Sequence, residues 1–187
     1  FLSKGLLNEA KEIAIRNVTL LKDLINEDTP LIGLEPSAIL TFRDEYSELV
    51  HEYLKNDALQ LASNCLTFEE FFAREIDNGT INKSQFKQEK KLLKVHGHCH
   101  QKALSSLVPT KKMLSLPENY EVHMIPSGCC GMAGSFGYEK EHYELSMQVG
   151  ELVLFPTVRK QPADMIIAAA GTSCRHQIKD GTNRIAK

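Results

Sequence analysis

Nowhere in this chain do about 18 apolar residues run together, the length a helix needs to cross a bilayer. The N-terminal stretch FLSKGLLNEAKEI is broken by charge where a signal peptide would be continuously apolar. No membrane-spanning helix and no export leader are read from it. A long basic run with interleaved aromatics is also missing. With 22 Lys and Arg against 24 Asp and Glu, the formal charge is −2, and nothing offers a track for a phosphate backbone. Nucleic acid is therefore excluded as an expected partner. Cysteine is scarce and odd in number, five in 187 residues, which does not fit the disulfide framework of a small secreted domain. Metal binding or thiol chemistry in a reducing compartment is favoured, with the cytoplasm as the expected location.

What is present suffices for a self-supporting core. A chain of 187 residues, 42% hydrophobic, reads as one or two domains. From Ser3 to Ile25, apolar residues recur three and four apart (Leu6, Leu7, Ala10, Ile13, Ala14, Val18, Leu21, Leu24), predicting an amphipathic helix. Leu31 to Leu34 reads as a short buried strand, with a turn at Glu35-Pro36-Ser37 and a helix start near Ala38. Asn56 to Ile76 reads as helical, with Thr67 and Glu70 in a capping-box relation, and Asn78-Gly79 ends it. The polar stretch from Thr80 to Lys91 reads as a linker or surface arm.

Beyond it, strands are expected near Leu92 to His96, Tyr120 to Ile125 and Met165 to Ala170. Helices are expected near Gln101 to Leu107, after Pro109 and from Glu139 to Leu154. Short buried strands alternating with helices predict an α/β fold with parallel strands. A shift of 136 residues sets KGLLNEAKEIAIRN and PLIGLEPSA against KEHYELSMQVGELV and MIIAAAGTSC, so one unit is read as occurring twice. On that register Phe1 falls on Gly137 and Ala38 on Cys174. Because the first residue is Phe and the first copy starts partway through the unit, the chain is expected to be a piece of a longer protein. The two halves are related, the first truncated.

Four cysteines lie in turns after predicted strands: Cys99, the pair Cys129-Cys130, and Cys174. In parallel α/β sheets the loops at the strands' carboxyl ends converge, and ligands bind there. The separations are too long for the local knuckles of a zinc ribbon, so the fold itself must gather these residues. Adjacent cysteines on an extended strand point to opposite faces. Serving one site, they need a turned backbone, which Gly128, Gly131, Gly134 and Gly137 are expected to allow. Several metal atoms accept neighbouring thiolates more readily than one tetrahedral zinc, which favours an iron–sulfur cluster over zinc. His96, His98, His100 and His176 are read first as hydrogen-bond donors around such a site, with a ligand role for one histidine as the alternative. Cys65 reads as a small buried hydrophobe. Lys102, Arg175 and Lys179 could offset thiolate charge.

The segments HGHCHQKAL (residues 96–104), SGCCGMAGSFGYEKEHYELS (127–146) and GTSCRHQI (171–178) resemble the cysteine-rich CCG domain. That domain is found in heterodisulfide reductase, glycolate oxidase iron–sulfur subunits and lactate-utilisation proteins. The resemblance is nearest to the C-terminal part of fused proteins in which an FAD-linked oxidase domain precedes ferredoxin-like segments. It implies the C-terminal part of a first CCG-type repeat with connecting helices in residues 1–79, a linker or surface arm at 80–91, and a second repeat carrying the cysteines in 92–187.

It further implies an iron–sulfur cluster of the 4Fe-4S type on Cys99, Cys129, Cys130 and Cys174. It also implies FAD in the upstream part of the polypeptide and an electron acceptor, either a quinone or a carrier protein, with peripheral membrane association through it as a variant of the cytoplasmic location. The implied role is electron transfer in a D-2-hydroxy acid dehydrogenase acting on D-lactate, glycolate or D-2-hydroxyglutarate. Two departures stand out. Ala38 occupies the first copy's cysteine position, and Cys174 is followed by Arg175, His176 and Gln177 where the heterodisulfide type has Cys-x-x-Cys. The alternatives are a zinc-binding or metal-free structural module, and a thiol enzyme using Cys99 with a nearby histidine.

Overall fold

The apolar spacing near the N-terminus does form a helix, but a shorter one than the pattern suggests. In this computed structural model, which describes residues 1–187, Gly5 adopts φ 71° and separates a 3-10 turn at Leu2–Lys4 from α1 (Leu7–Leu21). The face of α1 carrying Ala10, Ala14 and Val18 is buried. The chain divides into two compact units, Phe1–Phe68 and Glu69–Lys187.

The first unit continues from α1 through a turn in which the Asn26 side chain accepts from the backbone N–H groups of Asp28 and Thr29. Strand β1 (Leu31–Gly33) follows, then α2 (Pro36–Ile39), α3 (Tyr46–Leu49), α4 (Lys55–Ser63) and β2 (Cys65–Thr67). Pro36 opens α2, where its missing N–H costs nothing. Val18, Tyr46, Leu54, Ala58 and Leu61 meet in the core. The Tyr46 hydroxyl accepts a 2.8 Å hydrogen bond from Asn17.

β2 corrects the expected continuous helix over residues 56–76. Helix α4 stops at Ser63, and Cys65–Thr67 pairs in parallel with Leu31–Gly33. The backbone groups of these three residues find partners on β1, which overrides the helical pattern around them. Cys65 thus lies on a strand, fully buried, with its carbonyl accepting two hydrogen bonds from the Arg43 guanidinium. Its reading as a core residue holds.

The second unit contains most of α5 (Phe68–Asp77), then β3 (Lys91–His96), α6 (Cys99–Leu104), α7 (Val108–Leu114), β4 (Tyr120–Met124), α8 (Tyr143–Leu152), α9 (Leu154–Arg159), β5 (Ile166–Ala169) and α10 (Thr172–Thr182). Residues 80–90 lie within this unit. There the Phe86 ring sits 6.3 Å from that of Phe72, and Gln88 is bonded to Asn119 and Glu118. The helix expected from Glu139 to Leu154 is broken at Val153. Pro156, in the first turn of α9, has no N–H to continue the α8 ladder.

The sheet runs β4-β3-β5 and is parallel throughout, with Val95 opposite both Met124 and Ala168. The α/β class with short parallel strands is therefore as read from the sequence. The strands form two small sheets, β1-β2 and β4-β3-β5. Behind the larger one, Phe155 fills the space between α8 and α10. A Cβ on Gly150 or Gly181 would come within 2.3 Å of its ring, so both helices approach it through glycine.

Under the 136-residue shift, Leu7 at the start of α1 falls on Tyr143 at the start of α8. β1 falls inside β5, and Pro36 falls on Thr172, which opens α10. No helix of the chain is long and apolar enough to cross a membrane.

Burial pushes the Cys65 thiol up to about 11, so the folded form holds its proton where the unfolded chain, near 9, gives it up. A raised pKa contributes stability that is present below pH 9 and lost as pH rises through 11. Urea midpoints measured from pH 8 to pH 11 should show the wild type losing about 2 kcal/mol more than Cys65→Ala over that window. Parallel losses in the two proteins would refute this assignment.

Candidate metal centre

All three strands of the larger sheet end at the same edge, and each is followed by a cysteine-bearing loop. β3 ends at His96, two residues before the His98 that caps α6. β4 leads through Ile125 to the loop at residues 127–130, and β5 leads through Ala170 to α10. Cys99 is the first residue of α6 and Cys174 the third of α10, where free backbone N–H groups and the helix dipole favour a thiolate.

These loops bring the four sulfurs into one continuous row. Cys99 lies beside Cys129, Cys130 between Cys129 and Cys174, and Cys174 beside the His96 imidazole. All are free thiols. Cys130 and Cys174 are 2% and 1% exposed and belong to the apolar core, whereas Cys99 and Cys129 are half-buried.

The protons are shared unequally along the row. Cys129 is held far below the usual thiol range by hydrogen bonds from Cys130, then Cys99, and further by the backbone N–H groups of Gly131 and Ala133. The Gly131 N–H lies 3.3 Å from its sulfur. Cys174 is lowered to about 5, first by Cys130 and then, against the cost of burial, by His96. Cys99 and Cys130, the donors in these contacts, are pushed far up. A thiol enzyme built on Cys99 would need that thiol pushed down, whereas its neighbour Cys129 and burial push it up.

The backbone turns directly after the adjacent pair, through residues 131–135. Only Gly131 (φ 106°) and Gly134 (φ 68°) of the four expected glycines take up left-handed conformations, and Ala133 (φ 39°) is the third such residue. Gly131 is also a close approach, since a Cβ there would lie 2.1 Å from the Ser146 carbonyl oxygen. Lys102 fixes this loop from α6. Its ammonium donates to the carbonyls of Ser127 and Gly128, both at 2.7 Å. The helix that carries Cys99 therefore holds the segment that carries Cys129 and Cys130.

The histidines separate into distinct positions. His96 is 1% exposed, with Nδ1 2.7 Å from the Ser127 hydroxyl, and its Nε2 is buried without a hydrogen-bond partner. Ligand atoms of His96, Cys130 and Cys174 all lie within 4.8 Å of one another. His98 is 5% exposed and accepts from the His100 N–H, and its ring edge packs on Gly171 close to Cys174. His100 lies beside His98, with ring centroids 6.3 Å apart. His176 is exposed, its Nδ1 2.9 Å from the Tyr138 hydroxyl, and stands outside the buried group. Arg175 binds the carbonyls of Ala169 and Ala170. Gln177, one turn beyond Cys174, is committed to Ser146 through its side-chain amide. Sequence reasoning misses the pairing of Ser127 with His96, although Ser127 opens the SGCCG segment that marks the loop.

The donor set suits an iron–sulfur cluster. Several thiolates face one place, backbone N–H groups point at sulfur, and a buried imidazole nitrogen lacks a partner. On its outer side Cys129 lines an open apolar cavity of about 290 Å³ with Gly131, Ala133, Phe136, Leu145 and Val149.

No family model matches the chain, and no solved structure matches it. Similar proteins of known function do exist. One component of the anaerobic glycerol-3-phosphate dehydrogenase of Escherichia coli is 26% identical over 185 residues, covering 97% of this chain and 44% of that protein. The D-2-hydroxyglutarate dehydrogenases of Escherichia coli and Pseudomonas putida are 25% and 26% identical, each aligned over 16% of its length. The chain thus spans less than half the length of the relatives it matches, in their C-terminal part.

The charge distribution predicts which thiol reacts first. In metal-free protein at neutral pH, iodoacetamide should modify Cys129 ahead of the others, since its thiol is pushed down and it is half-buried rather than enclosed. Peptide mass spectrometry over a time course reads the order, and Cys99 reacting first would contradict it.

Proposed function

We propose that this chain is the iron–sulfur electron-transfer portion of a flavin-dependent dehydrogenase, with Cys99, Cys129, Cys130 and Cys174 as the cysteine ligands. The observation that carries this reading is the placement of all four cysteines on three loops at one sheet edge, with the sulfurs of Cys130 and Cys174 within 4.8 Å of each other and of a His96 ring nitrogen. A cluster held there, of the 4Fe-4S type in the first instance, supplies one-electron chemistry at a potential set by hydrogen bonds to sulfur and by exposure. The chain's own residues supply the rest. Gly131 and Ala133 donate N–H groups to Cys129, Lys102 fixes the loop, and burial of Cys130 and Cys174 keeps water from the inner sulfurs.

The relatives support placing substrate choice elsewhere. Proteins named for glycerol-3-phosphate and for D-2-hydroxyglutarate share this stretch, so what they have in common is not recognition of one substrate. A D-2-hydroxy acid, whether D-lactate, glycolate or D-2-hydroxyglutarate, remains the proposed donor for the whole protein. FAD and ferredoxin-like clusters in other domains would pass its electrons on singly. Cys129, the sulfur on the apolar cavity, is the proposed exit toward a quinone or a carrier protein. A reducing cytoplasm keeps such thiols available.

One observation favours a second reading. His96, Cys130 and Cys174 alone resemble three ligands of a mononuclear zinc. Anaerobic reconstitution with iron and sulfide, followed by elemental analysis, visible absorption and electron paramagnetic resonance, separates the two. The expected result is a brown protein carrying several irons per chain and a signal on reduction. A colourless protein that retains about one zinc would reject the proposal.

A further inference from the structure

The geometry points to His96 as a metal ligand through Nε2, beside the sulfurs of Cys130 and Cys174. This rests on the site being a metal centre, and it extends the ligand set beyond the four cysteines.

The first ground is burial. An imidazole that is 1% exposed carries a nitrogen with no hydrogen-bond partner, in a core where nearly all polar atoms are satisfied. Leaving such a group unpaired forfeits its hydration without return, so a stable fold retains it where something binds it. The second ground is distance. Ligand atoms on a tetrahedral metal, with metal–sulfur bonds of about 2.3 Å and metal–nitrogen bonds of about 2.0 Å, stand roughly 3.5–3.8 Å apart. The ligand atoms of His96, Cys130 and Cys174 fall within 4.8 Å of one another, so a small inward movement of side chains closes the set.

The third ground is the other ring nitrogen. Nδ1 lies 2.7 Å from the Ser127 hydroxyl, and a proton held on Nδ1 and donated there leaves the Nε2 lone pair free for a metal. Ser127 stands two residues before Cys129, and its carbonyl is held by Lys102. The same loop that presents Cys129 and Cys130 therefore orients the histidine. The rival role for His96 is donation of an Nε2–H to the Cys174 sulfur. It differs in tautomer and in what a substitution would do.

A histidine among thiolates has a chemical consequence. Replacing thiolate by neutral imidazole lowers the negative charge on the metal and raises its reduction potential, as in Rieske centres. On this account the iron held by His96 is the more oxidising part of the site.

Two probes test the inference. Cobalt(II) alone, titrated anaerobically into metal-free wild type, His96→Ala and His96→Cys, reports ligands through its visible bands and needs no cluster. The wild type should bind with a mixed nitrogen and sulfur spectrum. His96→Ala should bind about 10–100-fold more weakly. His96→Cys should recover affinity with stronger sulfur-to-cobalt absorption and, once loaded with iron and sulfide, show a lower midpoint potential. Equal weakening in both variants, or a cobalt spectrum that His96→Ala leaves unchanged, would overturn the ligand role.

In the iron-loaded wild type, pulsed paramagnetic resonance should detect a strongly coupled nitrogen. This reading stands even if both variants fail to fold, and a cluster with only weak nitrogen coupling overturns the inference while leaving the proposed function intact. A wild type that takes up no iron and sulfide but binds cobalt through His96 would instead reject the proposed function and keep the ligand.

Discussion

The structure depends on the parallel hydrogen-bond ladder between β3 and its two neighbours. β3 is central and pairs with β4 and β5 in a register that places His96, Met124 and Ala169 at a common edge. A slip of one residue would turn every side chain of a strand to the other face. His96 would then leave Cys174 and Ser127, and the loops bearing the cysteines would be carried out of step. The chemistry at the edge is a consequence of that register, held by core residues Leu93, Val95, Ile167 and Ala169 that touch no metal.

A second layer of contacts converts nearness into a usable donor set. Sulfur atoms gathered in an apolar core repel one another once ionised, and burial alone would keep them neutral. Here each negative sulfur has donors of its own. Cys129 has backbone N–H groups from the loop that follows it, while Cys174 has Cys130 beside it. Lys102 ties the loop to α6 by carbonyl contacts. Its position beside the cysteines in the sequence suggests that it offsets thiolate charge, whereas the structure gives it a mechanical task. Arg175 likewise closes the end of β5 through its carbonyls.

Much of this is legible in the sequence. The three strands of the larger sheet lie within a residue or so of where apolar runs and turns place them, because short apolar stretches followed by glycine-bearing loops carry a strong local signal. The convergence of Cys99, Cys129, Cys130 and Cys174 follows from the parallel topology alone. The misses have physical causes. β2 is three residues long and becomes a strand only by pairing with β1, a partner more than thirty residues away. The break at Val153 has its signal in Pro156, which the apolar spacing around it masks. Gly128 and Gly137 adopt ordinary backbone, while Ala133 takes a left-handed conformation that its side chain disfavours, so composition identifies the turn and not its geometry. The link from His96 to Ser127 spans 31 residues, and no local pattern reveals it.

The central claim is that four of the five cysteines act as one ligand set while Cys65 does not. Thiol protection measures this most directly. Protein loaded with iron and sulfide, and a metal-free control, are exposed anaerobically to an alkylating reagent in mild urea that opens the second unit only when no metal is bound, and each cysteine is then quantified by mass spectrometry. The account predicts that loading protects Cys99, Cys129, Cys130 and Cys174 together and leaves the reactivity of Cys65 unchanged. Protection that omits any one of the four, or that includes Cys65 to the same degree, would contradict it.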